Sequence, residues 1–258
     1  MNTSDISKAQ GHWVLAKMGK KVLRPGGREL TNKLVEGLSI SSTDDVVEFA
    51  PGLGYTASLA ISKRPKTYTG VDADLEAAKR LRGIINHNGY QIIHGNAAET
   101  PIDTGCKSKV YGEAMLTMHA DHRKSEIIKE AHRILKKGGL YAIHELGLTP
   151  NTISDELKAT IQKDLAVAIK VNARPLTQQE WSELLEKEGF RIKSIDTNAM
   201  HLLEPSRIIQ DEGFFGALKI GFNILTHSDA RKRIVEMSKI FRKHAKHMNS
   251  IAIVAEKI

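Results

Sequence analysis

The sequence predicts an α/β fold built on a parallel sheet with helices covering both faces. Three observations carry this. Between residues 44 and 148, short β-branched runs alternate with segments of helical period, the rhythm of strand–helix–strand units. The first run, "DVVEFA", leads at once into Gly52 and Gly54, the punctuation that a tight strand-to-helix turn needs. The chain has 258 residues, 41% hydrophobic and 26% charged, a composition that packs a core and is not that of a disordered chain.

The elements follow in order. Residues 5–23 read as a helix that Arg24-Pro25-Gly26-Gly27 ends, because proline and glycine do not continue a helix cheaply. A second helix spans about 28–38. Then come a buried strand at 45–50, a helix at 56–64, a strand at 67–74, a helix at 75–89 closed by Gly89, and a strand at 90–97. A weaker strand signal covers 107–116. Residues 122–139 read as a helix with a glycine cap, and "LYAIHEL" as the fifth strand. After residue 150 the rhythm changes. Helices are predicted at 154–172 and 177–190, the latter with Thr177 and Glu180 as a capping box and Gly189 as its stop. A strand follows at 191–200. A mostly helical stretch covers 202–248, where Ile234, Met237, Phe241 and Met248 recur at helical spacing. The strand 250–258 closes the chain. No repeat or linker interrupts it, so residues 1–258 read as one domain, with helices in 1–40 and helical insertions at 150–175 and 201–248.

The bulk properties narrow the setting. Net charge is +8, which favours anionic partners in general without singling out nucleic acid. Cys106 is the only cysteine, which rules out an intramolecular disulfide and fits a reducing, cytoplasmic compartment. The opening "MNTSDISKAQ" lacks the apolar run of a signal peptide, and no stretch is apolar enough to span a bilayer. The oligomeric state is left open.

Four motifs lie in a fixed order. "EFAPGLG" places Glu48 in the strand before a turn made by Ala50, Gly52 and Gly54. "YTGVDAD" places Asp72 at the end of the second strand, with Ala73 after it and Asp74 as a competing helix cap. "HGNAAETP" places Asn96 and Ala97 after the third strand. "RILKKGGLYAI" joins a helix to the fifth strand. Gly52-x-Gly54-x-x-Ala57 alone is close to the fingerprint of nicotinamide dinucleotide enzymes, and an ordinary strand-to-helix turn also uses such glycines.

Taken together the four resemble the class I S-adenosylmethionine (SAM) dependent methyltransferases, over roughly 200 residues. The resemblance implies a Rossmann-like, seven-stranded, mostly parallel sheet of order 3-2-1-4-5-7-6 with an antiparallel last strand, and here helical cap insertions. It implies SAM as cofactor. The glycine turn would admit the amino-acid part, and the helix start would favour its carboxylate. Asp72 would accept from the ribose hydroxyls, and Asn96 and Ala97 would meet the adenine. Glu48 favours SAM over a dinucleotide, because SAM carries an ammonium and a sulfonium where a dinucleotide carries an anionic pyrophosphate. Ala50 stands where the family has its first glycine, and alanine suits the turn if its φ stays negative.

Ligands in such sheets lie at the carboxyl ends of the strands. The turns after strands four and five therefore border the reaction, and Glu113, His119, His144 and Glu145 are the candidate catalytic residues, Glu113 also bordering the cofactor. A base is needed only where the acceptor loses a proton. "MHADH" and "IHE" hint at metal ligation, but helix opening and capping account for them, so no metal is expected. Cys106 lies in a loop with no proline before it and is set aside as a nucleophile. Phe214, Phe215 or Met200-His201 are expected to line an apolar acceptor pocket under the insertions, and His12 and Trp13 to fold over the cofactor, although Trp13 also suits a core.

The leading reading is an enzyme that methylates a small molecule, with an apolar acceptor as one option. An RNA or protein methyltransferase is the alternative that pI ≈ 9.4 favours, but "EAML" stands where amino-methylating nucleic-acid enzymes carry an Asn/Asp-Pro-Pro-Tyr-type tetrapeptide. A nucleic-acid partner is thus disfavoured. A SAM-binding protein without catalysis is the third reading.

Overall fold

The computed structural model describes residue 6 and residues 9–85 and 87–258. Among the described residues, helices α1 (Gly11–Lys17) and α2 (Gly27–Leu38) precede the sheet. The alternating part runs β1 (Asp45–Phe49), α3 (Tyr55–Ser62), β2 (Thr67–Asp72), α4 (Leu75–Ile84), β3 (Tyr90–His94), β4 (Lys107–Glu113), α5 (Asp121–Ile134) and β5 (Leu135–Leu148). Then come α6 (Asp155–Ile169), β6 (Leu176–Thr177), α7 (Gln178–Lys187), β7 (Phe190–Ala199), α8 (Pro205–Thr226), α9 (Ser228–Lys243) and β8 (Met248–Lys257).

The strands hydrogen-bond in the order β3-β2-β1-β4-β5-β8-β7, with β6 on the side of β5. β1 to β5 are mutually parallel where they pair, and β8 is antiparallel to both β5 and β7. This is the order the resemblance implied, with one addition. The two-residue strand β6 pairs Leu176 and Thr177 with Gly147 and Leu148; a two-residue strand carries no periodicity from which to predict it.

Alternation of side chains along β1 splits the core. Val47 and Phe49 pack with Ile127, Ala131, Ile134, Trp181 and Leu185 from α5 and α7. Val46 packs on the opposite face with Leu30, Leu34, Ala57, Ala60 and Leu81 from α2, α3 and α4. β1 is buried at every position, as a central strand covered on both sides must be. A third core lies off the carboxyl end of β5. There Val14 and Leu15 of α1, Ile161 and Leu165 of α6, and Ile234, Met237 and Phe241 of α9 meet Leu146, Leu148 and Met248. α1, α6 and α9 thus form one cap at that end of the sheet.

Several boundaries differ from the sequence expectation. α1 stops at Lys17, and Gly19 turns the chain with φ 104°, so residues 18–23 are not helical; residues 5, 7 and 8 of that expected helix lie outside the described residues. α5 ends at Ile134, because Leu135 is already extended and pairs with Lys107; the glycines at 138 and 139 lie where the register shifts between the Leu135 and Leu140 pairings, Gly138 at φ 75°, instead of capping a helix. Met248 shares the cap core with Ile234, Met237 and Phe241 but opens β8 and does not continue α9. The capping box is present, with Glu180 Oε2 accepting from Thr177 N at 2.8 Å and Thr177 Oγ1 accepting from Glu180 N at 3.2 Å.

Candidate active site

The strand order reverses between β1 and β4, which parts the loops at that point and opens a crevice at the carboxyl ends. A cleft of about 530 Å³ lies there. Its walls are the turn after β1 (Ala50, Pro51, Gly52, Leu53), the end of β2 (Val71, Asp72, Ala73, Asp74), Asn96 and Ala97 after β3, and Glu113, Ala114 and Met115 at the end of β4. His119, Arg123 and Ile127 close one side. Gln10, His12, Trp13, Lys21, Leu23 and Arg24 of the N-terminal segment close the top.

The turn is held by Asp72. Its carboxylate accepts from Gly52 N and from Asp74 N, both at 2.9 Å. Burial nevertheless raises its pKa, outweighing those two bonds. Asp74 is the N-cap of α4, accepting from Glu76 N and Ala77 N, so the two acids divide the roles. Gly52 has φ 57° and Gly54 φ 81°. Gly54 caps α3 outside the cleft wall, where a Cβ would come within 2.5 Å of Leu81 Cδ2. Ala50 corrects the expectation of a negative φ: it stands at φ 53°, a conformation that costs an L-residue roughly 1–2 kcal/mol. Ala114, directly after Glu113, is at φ 52°. Both strained alanines line the cleft, and such strain concentrates at functional sites.

Glu48 is not in the cleft wall. It lies on the same side of β1 as Val46, and its Oε2 accepts from Tyr68 at 2.5 Å and from Tyr111 at 2.7 Å. Burial pushes its pKa up to about 7 despite those two hydroxyls. The two tyrosines thus hold inside the sheet layer the carboxyl that the resemblance placed beside the cofactor.

Glu113 anchors a buried network. Its Oε1 accepts from Arg24 Nε at 3.0 Å and from the Thr56 hydroxyl; its Oε2 accepts from Thr31 Oγ1 at 2.6 Å and lies 2.7 Å from His144 Nδ1. Burial alone would raise its pKa, but Arg24 and His144 win and hold it well below the usual carboxylate range. His144 Nε2 accepts from Gly26 N at 3.2 Å, which puts the ring proton on Nδ1, toward Glu113. Both nitrogens of His144 are therefore committed, and Glu113 is a fixed anion. Their role is to clamp the segment from Arg24 to Thr31 onto the sheet, and neither suits a proton shuttle.

Glu145 is also structural. Its oxygens accept from Met115 N, Leu116 N, Thr117 N and the Thr117 hydroxyl, which fixes the turn after β4. Burial raises its pKa in spite of these donors. His119 does line the cleft, and burial, with Arg123 and Lys124 nearby, lowers its pKa. Asn96 Oδ1 already accepts from Ala98 N at 3.0 Å and Arg123 Nη2 at 2.6 Å. Among the described residues, no group of three or more His, Cys, Asp or Glu side chains is placed to hold a metal ion.

A second cavity, about 80 Å³, lies under the cap. Leu15, Leu146, Leu165, Ile169, Met200, Met237 and Phe241 line it. His12, Leu23, Ala114 and Met118 line this cavity and the cleft alike, so the two spaces meet at those four residues. His12 is the titratable side chain of that group. Burial lowers its pKa, with Asp74 partly opposing, so it is neutral near pH 7. Trp13 is half-buried and faces the cleft. Met200 is in the inner wall but His201 is not, and Phe214 and Phe215 line neither space: they are 61% and 84% exposed. The chain breaks its helix at Gly213 (φ 77°, ψ 167°), which turns both rings outward.

A family model described as a methyltransferase domain matches residues 47–143. An uncharacterized protein of Haemophilus influenzae is 33% identical over 252 residues, spanning 96% of this chain and 98% of that protein. O-methyltransferase 12 of Dictyostelium discoideum is 24% identical over 174 residues, 66% of this chain and 45% of its own length. Among solved structures, phospholethanolamine N-methyltransferase 2 of Haemonchus contortus, in complex with phosphomonomethylethanolamine and S-adenosylhomocysteine, matches with a TM-score of 0.70 at 16% identity, over 95% of this chain and 56% of that one. At such identity that likeness speaks to the fold. The sequence matches join it to the strand order and the cleft at the switch point, and the chain belongs to the class I SAM-dependent methyltransferases.

Proposed function

We propose that this enzyme binds SAM in the cleft and methylates a small molecule whose apolar body enters the inner cavity. The meeting of the two spaces at His12, Leu23, Ala114 and Met118 carries this reading. The cleft volume lies within the ~300–1,000 Å³ usual for cofactor sites. Its residues fit the cofactor in kind: Asp72 offers a carboxylate to the ribose, Ala50 to Leu53 offer backbone at close approach, and the Arg24 guanidinium offers positive charge to a carboxylate. Ala73 and Ala97 leave room for the nucleoside, and with the Asn96 oxygen already taken, the Ala97 N–H is the donor we assign to the adenine.

When bound, SAM supplies a methyl group on a sulfonium, which needs an aligned nucleophile more than an activated one. Alignment is the work of the cap: its apolar wall excludes water and holds the acceptor against the shared residues. For an acceptor that must lose a proton, His12 is neutral at the junction and able to take it; His119 is a second neutral histidine on the cleft side. A soluble, cytoplasmic enzyme is our reading of its setting. The basic surface leaves RNA or protein as the competing acceptor class, and an enclosed apolar cavity argues against both.

The test is an acceptor screen that reads S-adenosylhomocysteine release from cell extract, before and after nuclease and protease digestion. We expect turnover to survive both treatments. Val171 also lines the inner cavity and not the cleft, so Val171→Phe, which fills that cavity, should raise the acceptor KM while leaving SAM affinity within about twofold. Turnover lost to nuclease, or a Val171→Phe enzyme with unaltered acceptor kinetics, overturns the reading. Where the acceptor loses a proton, the activity should fall on the acid side, below the ordinary histidine pKa of about 6.5, and His12→Asn should abolish that limb.

A further inference from the structure

We propose that the outer face of α8 docks on an anionic membrane surface. From Phe214 to Thr226 the helix presents Phe214, Leu218, Phe222 and Leu225 outward at steps of four, four and three, one stripe of a helix. Phe215 stands beside the stripe. These five side chains are 61%, 56%, 65%, 68% and 84% exposed in that order. The opposite face is anchored: Ile220 is buried, Ile224 packs on the cap core, and Asn223 Nδ2 donates to Met18 O at 2.9 Å. The exposed stripe is therefore held outward by fixed contacts beneath it. A contiguous apolar patch of this kind marks an interaction surface.

Charge identifies the occupant. No Asp or Glu occurs from Gly213 to Ser228, and Lys219 lies on the exposed side. Arg231 and Lys232, both exposed, open α9 just beyond, and Arg231 Nη1 donates to Leu225 O at 3.3 Å. On the other flank is exposed Lys21, whose backbone N–H donates to Glu212 Oε1 at 2.8 Å. The acids near this basic rim are Asp229 and, on the Lys21 flank, Asp211 and Glu212, whose side chains are buried and paired with Lys20. An apolar stripe with lysine and arginine around it suits the boundary of an anionic bilayer. A second copy suits it poorly. Thirteen helical residues extend about 20 Å, so the stripe falls well short of the ~800 Å² per partner that a stable interface buries. Two copies, each with net charge +8, would also bring like charges together. Lys21 lines the cofactor cleft as well, so docking would set the mouth of the cleft against the lipid.

Flotation of the full chain with vesicles tests this, and it needs no turnover, so it stands apart from the proposed reaction. We expect flotation with phosphatidylcholine–phosphatidylglycerol vesicles at low salt, little with phosphatidylcholine alone, and release by added salt. The Phe215→Ser/Phe222→Ser pair should lower vesicle affinity by about tenfold or more, and Lys219→Glu by a smaller factor, while the unfolding temperature stays that of the parent because all three side chains are exposed. Absence of flotation on the anionic vesicles, or equal flotation of the double serine variant, overturns the proposal. So does sedimentation equilibrium showing a dimer that the double variant splits, which would give the face to a second copy.

Discussion

The cleft and the cap are built by different means. The cleft wall at β1, β2 and β3 is mostly backbone and short side chains: Ala50, Gly52, Asp72, Ala73, Asn96 and Ala97 each sit at a strand end or one turn beyond it. The cap is built from long side chains of α1, α6 and α9, which meet across more than two hundred residues of chain. The segment from Lys20 to Thr31 ties the two regions together. It holds to the sheet through Glu113 and His144, and to α8 through Asp211, which accepts from Lys20 Nζ at 3.2 Å and Arg28 N at 2.8 Å. Sites built by local geometry tolerate change elsewhere; sites built by distant packing do not. The contrast therefore separates the effects of substitutions.

The largest effect is expected at the tie. Glu113→Ala leaves the buried Arg24 guanidinium without its carboxylate, and breaking a buried pair from one side costs about 3–5 kcal/mol. Urea unfolding should show that loss. If the cleft and cap were independent, the variant would instead unfold in two steps, with the sheet keeping the parent midpoint.

Next is the pH dependence that Glu48 introduces. Its folded pKa is about 7 against a usual 4.5, a difference of 2.5 units, or about 3 kcal/mol at ~1.36 kcal/mol per unit. The folded state holds the proton more tightly than the unfolded chain does. Its contribution is thus fully present below pH 4.5 and is lost as pH rises through about 7. Glu48→Gln should flatten this limb of the melting temperature against pH. It should also leave SAM affinity near that of the parent, because the side chain lies outside the cleft.

Asp72→Ala acts on the cleft alone. With Asp72 as the proposed acceptor for the ribose hydroxyls, its removal is expected to weaken SAM binding by about 1.5–3 kcal/mol, roughly ten- to 150-fold. Calorimetry with SAM and with NAD checks both size and selectivity. Measurable NAD binding with no SAM binding would remove the cofactor from the proposed function.

The same contrast explains what was legible in the sequence. β1, β2, β3, Asp74 as a helix cap and the Thr177–Glu180 capping box were all readable, because each is a local pattern within a few residues. The Glu113 network was not: its partners come from positions 24, 31, 56 and 144, and spacing along the chain says nothing of that meeting. The choice between faces was equally hidden. Glu48 sits one residue from Val47, and the alternation of a strand decides which of the two faces the tyrosines. Phe214 and Phe215 looked like pocket residues by composition, but Gly213 redirects the helix that carries them. His12 was readable as a lid residue, while its place at the junction of two cavities depends on α6 and α9, which supply the far wall.

The smallest expected effect concerns Ala50, where the chain departs from the glycine of its family. Its φ of 53° costs roughly 1–2 kcal/mol for an L-residue. Ala50→Gly removes that strain but gives the unfolded chain more freedom, worth about 0.4–1 kcal/mol in the other direction. The net is a stabilisation of at most about 1.6 kcal/mol, readable as a small rise in melting temperature. Gly52→Ala is the matched opposite. Its φ is 57°, and the nearest atom to an added Cβ is Ala50 O at 3.9 Å, so nothing in the protein clashes and the cost in the fold is that of backbone strain alone. Any further loss in SAM affinity must then come from the methyl group standing in the cleft. If Gly52→Ala destabilises the fold yet binds SAM like the parent, the cofactor does not approach the turn, and the cleft wall after β1 is structural.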